Sequence, residues 1–286
     1  MKLEGRRESQ NVDDRRSMSG GAKAGLGVGG VIIVALISLL LGRNPQEVLQ
    51  YAEQSTTGGT ESEYVPSEQE EAMAKFAKQI LAGTEDVWTA LFKKMGKTYT
   101  PPKMVLFRNA VTSGCGNATS STGPFYCSAD QTVYIDLSFF DEMAKKYSAG
   151  GDFAYAYVIA HEVGHHVQNQ LGILQQVQAQ QQRMSQKDAN KLNVRLELQA
   201  DFFAGIWAHY DDKMYNSLED GDIEEGLNAA SQIGDDRLQM QAQGYTVPES
   251  FNHGTSAQRS KWLKKGYVTG DVSAGDALYT LSYENL

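Results

Sequence analysis

The run Ala160-His-Glu-Val-Gly-His-His166 has the His-Glu-x-x-His spacing that, on an α-helix, lets two histidines meet a single cation. Residues four apart lie on one helical face, so His161 and His165 can direct their imidazoles at the same ion. Glu162, one step round, can reach a water at that ion as general base. Taken alone, the motif also admits a solvated amphipathic helix with incidental histidines.

A second run repeats the spacing with carboxylates. Residues 195–205 read Arg-Leu-Glu-Leu-Gln-Ala-Asp-Phe-Phe-Ala-Gly, with Glu197 and Asp201 four apart. Their surroundings (Leu196, Leu198, Phe202, Phe203, Ile206, Trp207) are apolar, where a carboxylate is costly unless it is paired or binds a metal. Glu197 is therefore read as the third protein ligand of a catalytic Zn2+, with the fourth position left to water. Asp201, one turn on, is placed to accept the second ring N–H of a zinc histidine. A surface helix with two salt-bridged acids is the competing reading.

These two stretches, with His253-Gly-Thr-Ser-Ala-Gln-Arg259 and the amino-terminal Gly5-Arg-Arg-Glu-Ser-Gln-Asn-Val-Asp-Asp-Arg-Arg16, resemble the bacterial neutral zinc metallopeptidase family over nearly the whole chain. The resemblance implies a membrane-anchored metallopeptidase of unassigned substrate. The Glu-x-x-Ala-Asp run is also similar to membrane metallopeptidases that process CAAX proteins and stress-damaged membrane proteins. Those carry a late His-Pro-x-x-x-x-Arg motif. Here His253 and Arg259 keep the step, and Gly254 stands in place of the proline.

Peptide hydrolysis needs a second electrophile for the developing oxyanion. His253 is the candidate, with Arg259 orienting its loop; a loop histidine or helix cap is the alternative, and Tyr155, Tyr157 and Tyr210 are weaker rivals. His166 and His209 are expected to pack or face solvent.

Residues 1–23 carry six basic and four acidic side chains, and Ala24 to Gly42 carries no charge. As a helix those uncharged residues would span about 28 Å, enough for a hydrocarbon core. A cleaved signal peptide is disfavoured, because Leu39-Leu-Leu-Gly-Arg43 offers no small-residue cleavage site. The expected division is a cytoplasmic basic tail at 1–23, a transmembrane anchor at 24–42, a linker at 43–66 and a metallopeptidase domain at 67–286. The basic excess before the span puts the amino terminus in the cytoplasm of a bacterial inner-membrane protein and the catalytic domain outside it. From Arg43 onward 20 basic residues face 31 acidic ones, which argues against nucleic acid as a partner.

Cys115 and Cys127 enclose a Gly/Ser/Thr-rich loop and fit a disulfide, which suits an oxidising compartment. A redox pair is the alternative. Ser67-Glu-Gln-Glu70 is a capping box that opens a helix to about residue 91. Strands are expected at 103–108, 125–127 and 132–137, and helices at 138–147, 152–170, within 171–186, from Asp188 through Asp201, at 222–242, at 255–265 and over 271–281. The fold class is α+β: a helix-rich, zincin-like metallopeptidase domain with a small sheet, preceded by one transmembrane helix. The expected activity is zinc-dependent endopeptidase cleavage of a protein or peptide substrate. The rivals are a membrane-tethered interaction protein with a structural or vestigial zinc site and a zinc amidase acting on a non-peptide amide. The sequence does not give the oligomeric state.

Overall fold

Helix α1 (Glu68–Lys94) begins at the expected capping box: the Ser67 hydroxyl accepts from Glu70 N–H, and the Glu70 carboxylate accepts from Ser67 N–H. The computed structural model describes residues 1–17 and 64–286. Among them, Met1–Arg15 and Ser67–Leu286 form one compact unit; a second unit, Arg16–Pro66, lies almost wholly outside the described residues. The expected anchor at 24–42 and most of the 43–66 linker also lie outside them. Among the described residues no helix is long and apolar enough to cross a membrane.

The chain is helix-rich α+β. Strands β1 (Val12–Asp14), β2 (Lys103–Phe107), β5 (Phe125–Cys127) and β6 (Thr132–Asp136) form a mixed sheet in the order β1-β2-β6-β5, and β3 (Ala110–Ser113) pairs with β4 (Gly116–Thr119) as a separate hairpin. β1, β2 and β6 run parallel, and β5 is antiparallel to β6, with Phe125 opposite Tyr134 and Cys127 opposite Thr132. Among the described residues the other α-helices are α2 (Ser138–Tyr147), α3 (Asp152–Gln170), α4 (Ile173–Gln181), α5 (Gln186–Tyr215), α6 (Asp222–Gln232), α7 (Asp235–Gln243), α8 (Ser256–Thr269) and α9 (Ala277–Thr280).

Several expected boundaries need correction: α8 runs on to Thr269, past the expected 265, and of 271–281 only Ala277–Thr280 is α-helical, after a 3-10 turn at Val272–Asp276. α5 is capped by Ser185, whose hydroxyl accepts from Asp188 N–H. Asp188 sits in the first turn, where its charge suits the positive end of the helix. The single helix expected over 222–242 is broken at Gly234, where a Cβ would lie 2.3 Å from Ser256 N. Only a bare Cα lets the start of α8 approach so closely.

Two such close approaches set the angle of the central helices. A Cβ on Gly164 of α3 would meet the Ala200 carbonyl oxygen of α5 at 3.0 Å, so the backbones there nearly touch. A Cβ on Gly205 of α5 would lie 2.1 Å from Leu263 O, and one on Gly266 of α8 the same distance from Phe202 O. The three helices thus cross through glycine windows, around a core that includes Trp207, Trp262, Phe153 and Phe202. Gly205→Ala is expected to lower stability at the upper end of the usual overpacking range of about 1–3 kcal/mol, because backbone and not a flexible side chain must move. Thermal unfolding of the variant measures it, and an unchanged Tm would contradict this crossing.

The amino-terminal residues differ most from expectation. They are not a separate tail: β1 extends the sheet, and Met104 N–H donates to Asn11 O at 2.8 Å. Three of the basic side chains that suggest a cytoplasmic tail have carboxylate partners. Arg6 makes a bidentate pair with Asp211 at 2.6 and 2.7 Å, Arg7 pairs with Glu85 and Asp86, and Arg15 pairs with Asp13. Arg16 is buried.

Candidate active site

The site forms where α3 crosses α5. The crossing at Gly164 and Ala200 sets the face bearing His161 and His165 opposite the face bearing Glu197 and Asp201. His161 Nε2 lies 3.2 Å and His165 Nε2 3.5 Å from Glu197 Oε2. Donor atoms of the three residues all fall within 4.8 Å of one another.

Each imidazole is aimed from behind. The Asp201 carboxylate accepts from His161 Nδ1 at 2.7 Å. Gln168 Nε2 donates to Leu196 O and Gln199 Oε1, so its Oε1 is left to accept from His165 Nδ1 at 2.9 Å. With both Nδ1 atoms donating, both Nε2 atoms face Glu197, where loss of the Nε2 proton frees a lone pair for a metal. Two nitrogens and one carboxylate oxygen, converging beside a cleft, fit a zinc ion with one position left open.

Asp201 is fully buried and satisfied on every side. Arg259 grips it through Nε at 2.9 Å and Nη2 at 3.0 Å, and the Tyr157 hydroxyl donates to it at 2.6 Å. Burial acts to raise the Asp201 pKa, but Arg259 and His161 outweigh it and hold the carboxyl well below the usual range. Burial likewise opposes charge on His161, yet Asp201 and Glu197 raise its pKa to about 10. For Glu197, burial is outweighed by His165 and His161, which hold it ionised.

Arg259 therefore clamps Asp201, a different task from the expected one of orienting the His253 loop. Tyr157 is committed to the same network, and the Tyr210 hydroxyl donates to Gly270 O at 3.0 Å. Neither hydroxyl is spare for an oxyanion. His253 lines the same cleft with its side chain 49% exposed. Its loop is tied to Asp235, which accepts from the backbone N–H groups of Asn252, His253 and Gly254 and from His253 Nδ1 at 3.1 Å. That arrangement leaves His253 Nε2 unclaimed.

Glu162, buried on α3, lines the cleft beside His161 and His165. The cleft holds about 580 Å³ and runs along edge strand β5, past Pro124, Phe125 and Tyr126. Tyr126 locks that strand to α3: its hydroxyl bonds His166 Nδ1 and accepts from Asn169 Nδ2, both at 3.0 Å. His166 is buried there, and His209 packs under α8 with Nδ1 on Tyr267 O. The Cys115–Cys127 disulfide joins the β3–β4 turn to the end of β5, and Cys115 lines the cleft rim.

Sequence reasoning missed Gln168 and Asp235. Gln168 was within reach, since it stands three residues after His165 on the same helical face. Asp235 carried no local signal, because eighteen residues separate it from His253. Gln168→Leu is expected to weaken zinc binding about 10–100-fold, the usual cost of losing a group that orients a metal histidine. Competition with a chromophoric chelator checks this, and unchanged affinity would remove Gln168 from the site.

Among the described residues one other acidic group could hold a cation: Asp152, Asp222 and Glu225. The Met1 α-ammonium already lies 2.5 Å from Asp152 and 3.4 Å from Asp222.

A two-histidine, one-carboxylate donor set on crossed helices, open to a cleft, has the composition of zinc sites that keep a coordination position free. The profile of the family described as "Putative neutral zinc metallopeptidase" matches residues 1–278, and the chain belongs to that family. Membership brings Zn2+ as cofactor and protein or peptide as substrate class. The chain is 50% identical over 278 residues to the uncharacterised protein YpfJ of Escherichia coli (strain K12), covering 95% of this chain and 96% of that one. It is 42% identical over 212 residues to the uncharacterised protein Rv2575 of Mycobacterium tuberculosis (strain ATCC 25618 / H37Rv), covering 71% of each. No solved structure matches.

Proposed function

We propose that the chain is a zinc-dependent endopeptidase that cleaves an extended peptide laid along β5. The observation that carries this reading is the placement of Glu162 at an open cleft beside two imidazoles already aimed at one point. A purely structural zinc site is closed and has no use for a base.

His161, His165 and Glu197 would hold the zinc, which supplies Lewis acidity to polarise the scissile carbonyl and to acidify water. Glu162 takes the proton of the attacking water and delivers it to the amide nitrogen as the C–N bond breaks. His253 Nε2 donates to the oxygen that gains charge at the carbonyl when the ring carries both protons, a form that Asp235 favours by accepting from Nδ1–H. Asp201 and Gln168 keep the two imidazoles from turning. Among the described residues no strand pairs β5 on the side away from β6, and a substrate strand can add there.

The test is to incubate the purified full chain with an unfolded protein mixture and read new amino termini by mass spectrometry. New termini should appear, vanish with chelator and return with added zinc. No new termini, or termini indifferent to chelator, would overturn the reading.

A further inference from the structure

The amino-terminal segment is built into the unit that carries the cleft, and the rest of that unit is shaped to receive it. Asp211, whose side chain is 1% exposed, accepts from Nη1 and Nη2 of Arg6. α1 opens a slot for that pair at Gly83, where a Cβ would lie 2.6 Å from Asp211 Oδ1 and 2.7 Å from Arg6 Nη2. The Ser9 hydroxyl is buried on Glu85, and Gln79 Nε2 donates to the carbonyls of Leu3 and Arg6. β1 then pairs with β2 in parallel, Val12 opposite Met104 and Asp14 opposite Leu106. Without residues 1–15, the buried Asp211 carboxylate would lose Arg6 and β2 would lose one of its two neighbours, both unfavourable.

A bilayer cannot pass between two strands of one sheet. The connection from Arg15 to Ser67 therefore leaves and returns on the same side, and any crossings it makes are even in number. Its sequence contains one long uncharged stretch, Ala24 to Gly42. Residues 43–66 carry Arg43, Glu47, Glu53, Glu61 and Glu63, with Pro45 among them, and hold no second run of the roughly 20 apolar residues that a return helix would need.

We infer that the amino-terminal segment and the cleft share one compartment: residues 1–15 and 67–286 lie on the same side of any membrane the chain meets. The single-anchor topology read from the sequence would instead put these two parts on opposite faces. Their shared placement does not depend on the proposed peptidase activity.

The test uses the full chain in bacterial cells, with one cysteine added at a time to the disulfide-bonded protein. Glu4→Cys and Lys264→Cys are both exposed positions, and Gln10→Cys is a second exposed reporter for the amino-terminal segment. Each is challenged with a membrane-impermeant maleimide before and after the membrane is disrupted, and mapping of Cys115–Cys127 without reductant selects the folded population. Glu4→Cys, Gln10→Cys and Lys264→Cys should behave alike, all reacting before disruption or all only after it. Reaction of Lys264→Cys before disruption while the amino-terminal positions react only afterwards, or the reverse, would overturn the inference.

Discussion

Glu162→Gln is expected to keep one zinc per chain while slowing peptide hydrolysis about 10²–10⁴-fold, the usual contribution of a general base. The amide has nearly the shape of the carboxylate, and Glu162 is not one of the three groups that converge on the metal position. Zinc content and Tm should therefore stay within error of the parent. What is lost is the ability to take a proton from the attacking water. Measured as kcat/KM with kcat and KM separated, the loss should fall on kcat, since the base acts mainly in the transition state. Undiminished turnover at normal zinc content would exclude Glu162 as base.

The second large effect belongs to Arg259. Arg259→Met keeps much of the side-chain volume but leaves Asp201, which is 0% exposed, without its cation. Breaking one side of a buried ion pair costs about 3–5 kcal/mol, because the remaining charge is stranded away from water. For a chain of this size that corresponds to a fall in Tm of roughly 6–20 °C. Arg259→Lys should recover little, since an ammonium cannot reproduce the two bonds that Nε and Nη2 make to the carboxylate. A loss below about 1 kcal/mol, typical of exposed pairs, would mean that the Asp201 network does not brace the site.

The sequence made the local elements legible where period and capping are strong. α2 and α3 run over the spans the pattern marks, and the Ser67 box opens α1. β5, β6 and the Cys115–Cys127 bridge also read directly. What escaped depends on distant partners. β1 is three residues, two of them acidic, and resembles a charged tail until Met104–Leu106 are placed beside it. The β3–β4 hairpin is short and polar and carries no apolar alternation. The basic count that suggested an orientation in a membrane could not show that Arg6 and Arg7 already have carboxylate partners on α5 and α1. Within the site, the i, i+4 spacings were visible, but the hold of Asp235 on the His253 loop arises only once α7 is folded against it.

The central claim is that His161, His165 and Glu197 hold a zinc ion at the cleft, and metal analysis of the purified full chain tests it most directly. The unsubstituted chain and Glu197→Ala are dialysed together against a weak chelator and their zinc is measured per mole of folded protein. One zinc in the former and well under half in the latter is the predicted result. Full zinc in Glu197→Ala, or none in the unsubstituted chain, would contradict it.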